Sequence, residues 1–125
     1  MKAHDILTRQ QIIQLMSKNN VRATMLLVSC WAWVFAALAL VAIWPNVLTV
    51  IIALLVLGGR QLSFAILMHD CGHNSLFKST KLNQFVGTWL TAAPVFSDMQ
   101  TYSRQHSIHH KDVGTAKDPD LANYA

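Results

Sequence analysis

Residues 23–44 read ATMLLVSCWAWVFAALALVAIW and contain no charged side chain. Roughly twenty apolar residues, each rising about 1.5 Å along a helix, cross a hydrocarbon core of about 30 Å. A second apolar run, residues 47–68, follows the turn Pro45-Asn46 and is interrupted by GGRQ at 58–61 and by Ser63. So short a connection predicts an antiparallel hairpin of two membrane-spanning helices.

The composition supports a membrane environment for this hairpin. The chain has 125 residues, enough for one small domain, of which 53% are hydrophobic and 13% are charged; a soluble domain has about 25% charged residues. A buried helix in a soluble core is the alternative for the first run, but little else in the chain could surround it. The net charge of +4 comes without a basic stripe, which argues against a nucleic-acid partner. We therefore predict an all-α membrane protein.

The positions of lysine and arginine predict the orientation of the hairpin. None lies in the turn between the two runs, whereas both flanks are basic. By the positive-inside rule, both termini are expected on the cytoplasmic side, which makes the chain an integral, multi-pass membrane protein. The flanking basic residues are Lys2, Arg9, Lys18 and Arg22 before the first run, and Lys78, Lys81, Arg104, Lys111 and Lys117 after the second. Arg60 is expected to snorkel toward the interface or to face a polar partner.

The remaining segments are predicted to lie at or outside the membrane surface. Residues 1–22 form a cytoplasmic lead-in with an amphipathic helix on the membrane surface. Residues 82–96, LNQFVGTWLTAAPVF, are apolar but short and contain Pro94, which favours an interfacial or re-entrant helix over a third span. The whole region 69–125 is predicted to be a cytoplasmic and interfacial segment.

Five of the six histidines fall into two clusters with helical spacing. His69 and His73 are four residues apart, and His106 is followed by His109 and His110. On a helix, residues three and four apart share a face, so each cluster could present its imidazoles to one metal ion. Imidazole suits zinc, copper, iron and nickel. His4 belongs to neither cluster and is expected to be an exposed histidine.

Three other interpretations of the histidines fit less well. An isolated HxxxH pair often arises by chance, but two clusters beside one hairpin are hard to assign to chance. A zinc protease would carry a glutamate in HExxH, whereas this chain has HDCGH and no glutamate at all. A haem site would need histidines on facing helices within the bilayer, and these clusters lie at its edge.

The two clusters and their flanks resemble a known family. Residues 69–77, HDCGHNSLF, and residues 104–121, RQHSIHHKDVGTAKDPDL, are similar to the first and second histidine boxes, HxxxH and HxxHH, of the membrane-bound fatty acid desaturase and hydroxylase superfamily. Residues 58–68, GGRQLSFAILM, and residues 117–120, KDPD, are also similar to sequences of that family.

This resemblance implies a non-haem di-iron centre at the cytoplasmic face that uses O₂ to oxidise an acyl chain. It implies five iron ligands: His69, His73, His106, His109 and His110. It also makes Asp70, Asp118 and Asp120 candidates for orienting those imidazoles through their other ring nitrogen; a solvated tail or a helix cap explains the aspartates equally well. The implied partners are the lipid bilayer, an acyl-lipid, acyl-CoA or acyl-carrier substrate, and an external ferredoxin-type or cytochrome-type electron donor.

One departure from the family pattern bears on activity. The family carries a third histidine box after two further spans, and this sequence contains none. We expect the chain to resemble the N-terminal half of a desaturase, as a fragment, a truncated reading frame or one piece of a split protein with a missing C-terminal half. Three functions stay open at this point: a desaturase-family oxidoreductase, a non-catalytic membrane metal-binding protein, and an inactive remnant.

Overall fold

The computed structural model describes residues 6–123, which are helical and contain no strand. Five α-helices follow in order: α1 (Arg9–Leu15), α2 (Asn20–Ile43), α3 (Val47–Gly72), α4 (Thr80–Phe85) and α5 (Met99–Asp112). A π-helix (Val86–Ala92) and a short 3₁₀ helix (Ala93–Val95) connect α4 to the approach to α5, and a second 3₁₀ turn covers Leu121–Asn123.

Helices α2 and α3 form the hairpin that the sequence predicts. Asn19 caps α2 by accepting hydrogen bonds from two N–H groups of its first turn, and Asn46 forms a capping box with Thr49 at the start of α3. Within residues 6–123 these are the two apolar stretches long enough to cross a membrane, and only 17% of each stretch is buried. Because their large side chains face outward, the helices lack the enclosure of a soluble core. The all-α membrane fold class is confirmed.

The end of α3 lies farther along the chain than the predicted end of the apolar run at residue 68. The helix continues to Gly72, so His69 lies in its last turn and His73 is its C-cap. Asn74 then adopts a left-handed conformation with φ of 54°, a common way to stop a helix. The polar end of this long helix therefore carries the whole first histidine cluster.

A buried asparagine anchors the loop that leaves the first histidine cluster. The Asn83 side chain, fully buried, accepts a hydrogen bond from the Phe77 N–H and donates to the Phe77 and Ser79 carbonyls. In the same loop, the Lys78 N–H donates to the Asn20 side chain at 2.9 Å. This contact places the end of α3 beside the start of α2, at one end of the hairpin.

The apolar segment after this loop folds as a short helical layer against the hairpin. Its π-helix has a buried Thr91 whose hydroxyl donates to the Gly87 carbonyl at 2.9 Å. The Trp31 indole N–H of α2 donates to the Leu90 carbonyl, and the same ring packs edge-on against Phe64 of α3. With 16 residues from Thr80 to Val95, this layer is shorter than the roughly 20 residues of a typical membrane-spanning helix.

Close packing brings α5 against the end of α3. Asp98 caps α5 by accepting hydrogen bonds from the Gln100 and Thr101 N–H groups. Met99, at the first position of the helix, is buried, and its side chain lies beside Gly72 and Gly87. Small residues at these two positions allow the helix carrying the second histidine cluster to approach the first cluster.

Candidate metal centre

Four of the five clustered histidines converge on one point. His69, His73, His106 and His110 each offer a ring nitrogen that lies within 4.8 Å of the others. His106 is central: its Nε2 is 3.0 Å from the Nε2 of His73 and 3.0 Å from the Nε2 of His110. The two clusters are 33 residues apart in sequence, so the packing of α5 on α3 builds this group.

The spacing of these nitrogens fits a metal ion better than a set of hydrogen bonds. A neutral ring nitrogen carries either one N–H or one lone pair, so the His106 Nε2 cannot form two good hydrogen bonds with two other imidazoles. Two nitrogens that bind one ion at about 2.1 Å lie roughly 3 Å apart when they are adjacent ligands. The donor set is all nitrogen, which suits iron among the transition metals.

The surroundings of His73 and His106 favour the neutral form of these two imidazoles, which is the form that binds metal. Burial and the nearby rings of His69 and His110 hold the pKa of His73 below its usual value. Burial also lowers the pKa of His106, with further contributions from the four clustered imidazoles around it. Neutral imidazoles at neutral pH have a lone pair available, and no proton must be displaced before an ion binds.

His109 lies beside the group of four and also contacts the loop that follows α5. Its Nδ1 is 2.8 Å from Asp118 Oδ1 and 3.7 Å from Asp120 Oδ2, in a second group of ligand-type atoms. The ring still lies beside the first group, with centroids 5.9 Å from His106 and 5.7 Å from His110. The five predicted ligands are thus neighbours, divided into a group of four and His109.

The predicted aspartates differ in their surroundings. Asp70 Oδ1 is 3.1 Å from His69 Nδ1, and its side chain is 40% exposed. Asp118 is fully buried; burial raises the pKa of its carboxyl, but the hydrogen bonds from His109, Asp120 and Gly114 outweigh this effect and lower it. Asp120 has a side chain that is 45% exposed. Of the three, Asp118 is the one enclosed by the protein. His4 lies outside the described residues.

One aromatic side chain at the centre is absent from the residues that the sequence predicted. The Tyr102 ring stacks on the His106 ring with centroids 5.3 Å apart and an angle of 11° between the planes. Tyr102 precedes His106 by four residues on α5, so the helical spacing already placed the two on one face. This contact limits the orientations that the His106 ring can adopt.

Comparison with known proteins identifies the family. Residues 43–125, well over half of the chain, match the sequence profile of the fatty acid desaturase family. The chain belongs to this family, and the resemblance found in the histidine boxes is confirmed.

The chain is also 35% identical over 72 residues to the dihydrorhizobitoxine desaturase of Bradyrhizobium elkanii. That alignment covers 56% of this chain and 20% of the relative, so the chain spans about a fifth of that protein's length. No solved structure matches the chain.

Proposed function

We propose that this chain is part of a membrane oxidoreductase that desaturates or hydroxylates an acyl chain with O₂, and that its histidines hold iron. The observation that carries the proposal is the position of the His106 Nε2, which lies 3.0 Å from the Nε2 of His73 and 3.0 Å from the Nε2 of His110. His69 completes the group of four, and His109 lies beside it as the fifth ligand. When bound, reduced iron would supply the activation of O₂ and the abstraction of hydrogen from an unactivated C–H bond.

The chain's own residues have three tasks in this proposal. The helices position the imidazoles, because α3 ends at the first cluster and α5 packs against that end. The lowered pKa values of His73 and His106 keep these ligands neutral. Tyr102 fixes the plane of the His106 ring by stacking on it. A metal pair in the complete protein would draw further ligands from outside this chain.

A cleft beside the histidines suggests where an acyl chain approaches. It has a volume of about 500 Å³ and is lined by Ala65, Ile66, His69, Asp70 and Tyr102. Ile66 is 54% exposed on the apolar surface of α3. An acyl chain in the lipid could therefore reach His69 along an apolar wall without crossing water.

The apolar hairpin and its basic flanks support a proposal for the membrane arrangement. We propose that the hairpin spans the bilayer with both termini cytoplasmic, and that residues 69–125 form the cytoplasmic and interfacial segment. The substrate would be an acyl-lipid, acyl-CoA or acyl-carrier thioester. Electrons would come from an external ferredoxin-type or cytochrome-type donor, and a C-terminal half on the same or another chain would supply the remaining ligands.

A second candidate function is metal binding without oxidation. It is favoured by the fact that four imidazoles already converge within this chain, so an ion needs no outside ligand to bind. Metal binding is common to both candidates, and O₂ consumption with substrate separates them.

The experiment is an anaerobic titration of the purified chain in lipid nanodiscs with Fe²⁺. We expect one ion per chain to bind, and His106→Ala to abolish this binding. Gln105→Ala, an exposed neighbour on the same helix, and His4→Ala serve as matched controls and should bind as the wild type does. Equal iron content in all four proteins would refute the proposed centre.

A further inference from the structure

The loop after α5 is built around one buried carboxylate. Asp118 Oδ2 accepts a hydrogen bond from the Gly114 N–H at 3.1 Å, and Oδ1 accepts one from the Asp120 N–H at 2.9 Å. Its own N–H donates to the Thr115 carbonyl. Gly114 has a φ of 76°, a conformation that favours glycine, and it turns the chain back toward α5. The loop therefore holds the Asp118 side chain in a single position.

The same carboxylate contacts a histidine of the second cluster. Asp118 Oδ1 lies 2.8 Å from His109 Nδ1, and the Asp118 side chain is fully buried whereas His109 is 22% exposed. The other two candidate aspartates are much more exposed, and Asp120 is 3.7 Å from His109. A buried, ionised acceptor requires a donor, so the His109 Nδ1 carries the proton in this pair.

We propose that Asp118 is a positioning residue that fixes the plane and tautomer of His109, so that Nε2 becomes its metal-binding atom. The inference rests on the proposed metal centre. It explains why the backbone of residues 113–120 folds around a carboxylate. It also distinguishes Asp118 from Asp70 and Asp120, whose carboxylates are open to solvent and should influence metal binding little.

The loss of one hydrogen bond to a metal-binding histidine has a known effect on metal affinity. Loss of a partner that orients a metal-binding histidine commonly lowers affinity by about 10–100-fold. Asp118→Asn keeps the size of the side chain but replaces one acceptor oxygen with an amide donor. His109 and Asp120 both donate to Oδ1, and Gly114 donates to Oδ2. The amide can keep its oxygen toward His109 only by placing its NH₂ group against the Gly114 N–H, and in either orientation the negative charge that favours the Nδ1–H donor is lost.

The first measurement uses the metal-free 125-residue chain with ¹⁵N-labelled histidine in detergent micelles. NMR spectra should show His109 as the Nδ1–H tautomer, identified by the signal that disappears in His109→Gln. In Asp118→Asn this tautomer should lose its dominance, and in Asp120→Asn it should persist. The Nε2–H tautomer in the wild type would overturn the inference even if Asp118→Asn failed to fold.

The second measurement is a titration of the same proteins with Co²⁺, followed by visible absorption. We expect a loss of affinity of about 10–100-fold for Asp118→Asn and less than about threefold for Asp120→Asn, with unchanged helix content by circular dichroism. Equal affinities for the two variants would overturn the positioning role. No Co²⁺ binding by the wild type would refute the metal centre, and the NMR measurement would still decide the role of Asp118.

Discussion

At the scale of single residues, helix geometry explains why His110 and not His109 joins the central group. Residues advance by about 100° around an α-helix, so relative to His106 the next two histidines lie roughly 60° to one side and 40° to the other. The spacing HxxHH predicts that all three histidines lie on one broad face of the helix, and the sequence predicts nothing more specific. Which neighbour turns toward His73 depends on how α5 packs on α3, and His109 is drawn instead to Asp118.

The aspartates show the same limit of sequence reasoning. The resemblance to the desaturase family made Asp70, Asp118 and Asp120 candidates together and did not distinguish among them. The three aspartates differ in burial. Asp118 is buried by the loop that turns at Gly114, and the spacing of the histidines does not predict the positive φ of this glycine. The contact between Tyr102 and His106 could have been predicted, because the two residues are four apart on one helix.

Protons should compete with the metal ion at the histidines. The pKa values of His73 and His106 are lowered in the folded protein, so both are neutral at pH 7 and become protonated only below the ordinary value of 6.5. We expect Co²⁺ affinity to be nearly constant from pH 7.5 to 7 and to fall steadily below pH 6.5. The measurement is a series of Co²⁺ titrations between pH 5 and 7.5.

Protonation should also affect the metal-free fold in the same direction. Because the folded pKa values of His73 and His106 lie below their unfolded values, the unfolded chain binds these two protons first, and stability falls as the pH drops through 6.5.

In the Co²⁺ titrations, an affinity that stays constant down to pH 5 would contradict histidine ligation.

At the scale of elements, the hairpin was predictable and the layer beside it was only partly so. Apolar length defined α2 and α3, although α3 contains Arg60, and the short length together with Pro94 disfavoured a third span in residues 82–96. The π-helix at Val86–Ala92 follows from tertiary contacts, because Gly87 must lie close to Cys71 and Met99. Likewise, the end of α3 at Gly72 depends on the left-handed turn at Asn74, which overrides the polar residues that suggested an earlier end.

Gly87 should be the position where the helical layer is least tolerant of added volume. A Cβ there would lie 2.9 Å from both the Cys71 Cβ and the Met99 Cε. The methionine end can move, but the Cys71 Cβ is fixed to α3. We expect Gly87→Ala to destabilise the fold by about 1–3 kcal/mol and to weaken metal binding by displacing α5 from α3.

Gly58 provides the matched control for this substitution. It lies in the interior of α3, and nothing is within 4 Å of a Cβ built there. Gly58→Ala should leave the unfolding midpoint in detergent unchanged or higher, because alanine favours the helix. Equal destabilisation of the two variants would show that the close approach of α5 does not depend on Gly87.

At the scale of the whole molecule, the histidine clusters and the start of α2 lie at one end of the hairpin. The Lys78–Asn20 contact joins these parts, and the basic residues of the sequence are gathered on the same flanks. A cysteine introduced at the exposed Ala116 should therefore resist a membrane-impermeant maleimide in intact cells and react after permeabilisation. Val47, the first residue of α3 beside the opposite turn, is 77% exposed, and Val47→Cys should react in intact cells.

The native cysteines suit this experiment because they should not react. Cys30 and Cys71 are both buried, with 3% and 2% exposure, so the background labelling should be low. Labelling of the Ala116→Cys variant in intact cells, with protection of Val47→Cys, would show the reverse topology.

The final expectation concerns activity: the 125 residues alone should bind metal and oxidise no acyl chain. Breaking an unactivated C–H bond requires a metal pair with a complete and rigid set of ligands. Within residues 6–123, four imidazoles converge on one point and His109 adds a fifth, enough for about one ion that must also leave room for O₂. The cleft beside His69 is open to the surroundings, whereas an acyl chain must be held still for one carbon to react.

Co-expression with the C-terminal part of a related desaturase, including its own histidine box, should restore oxidation because it completes both the ligand set and the substrate tunnel. Gas chromatography of cellular fatty acids would detect new unsaturated or hydroxylated chains. His106→Ala should abolish the product in this system without affecting membrane insertion, and Gln105→Ala should not. Product from the short chain alone would contradict this expectation and would indicate that two copies assemble one site.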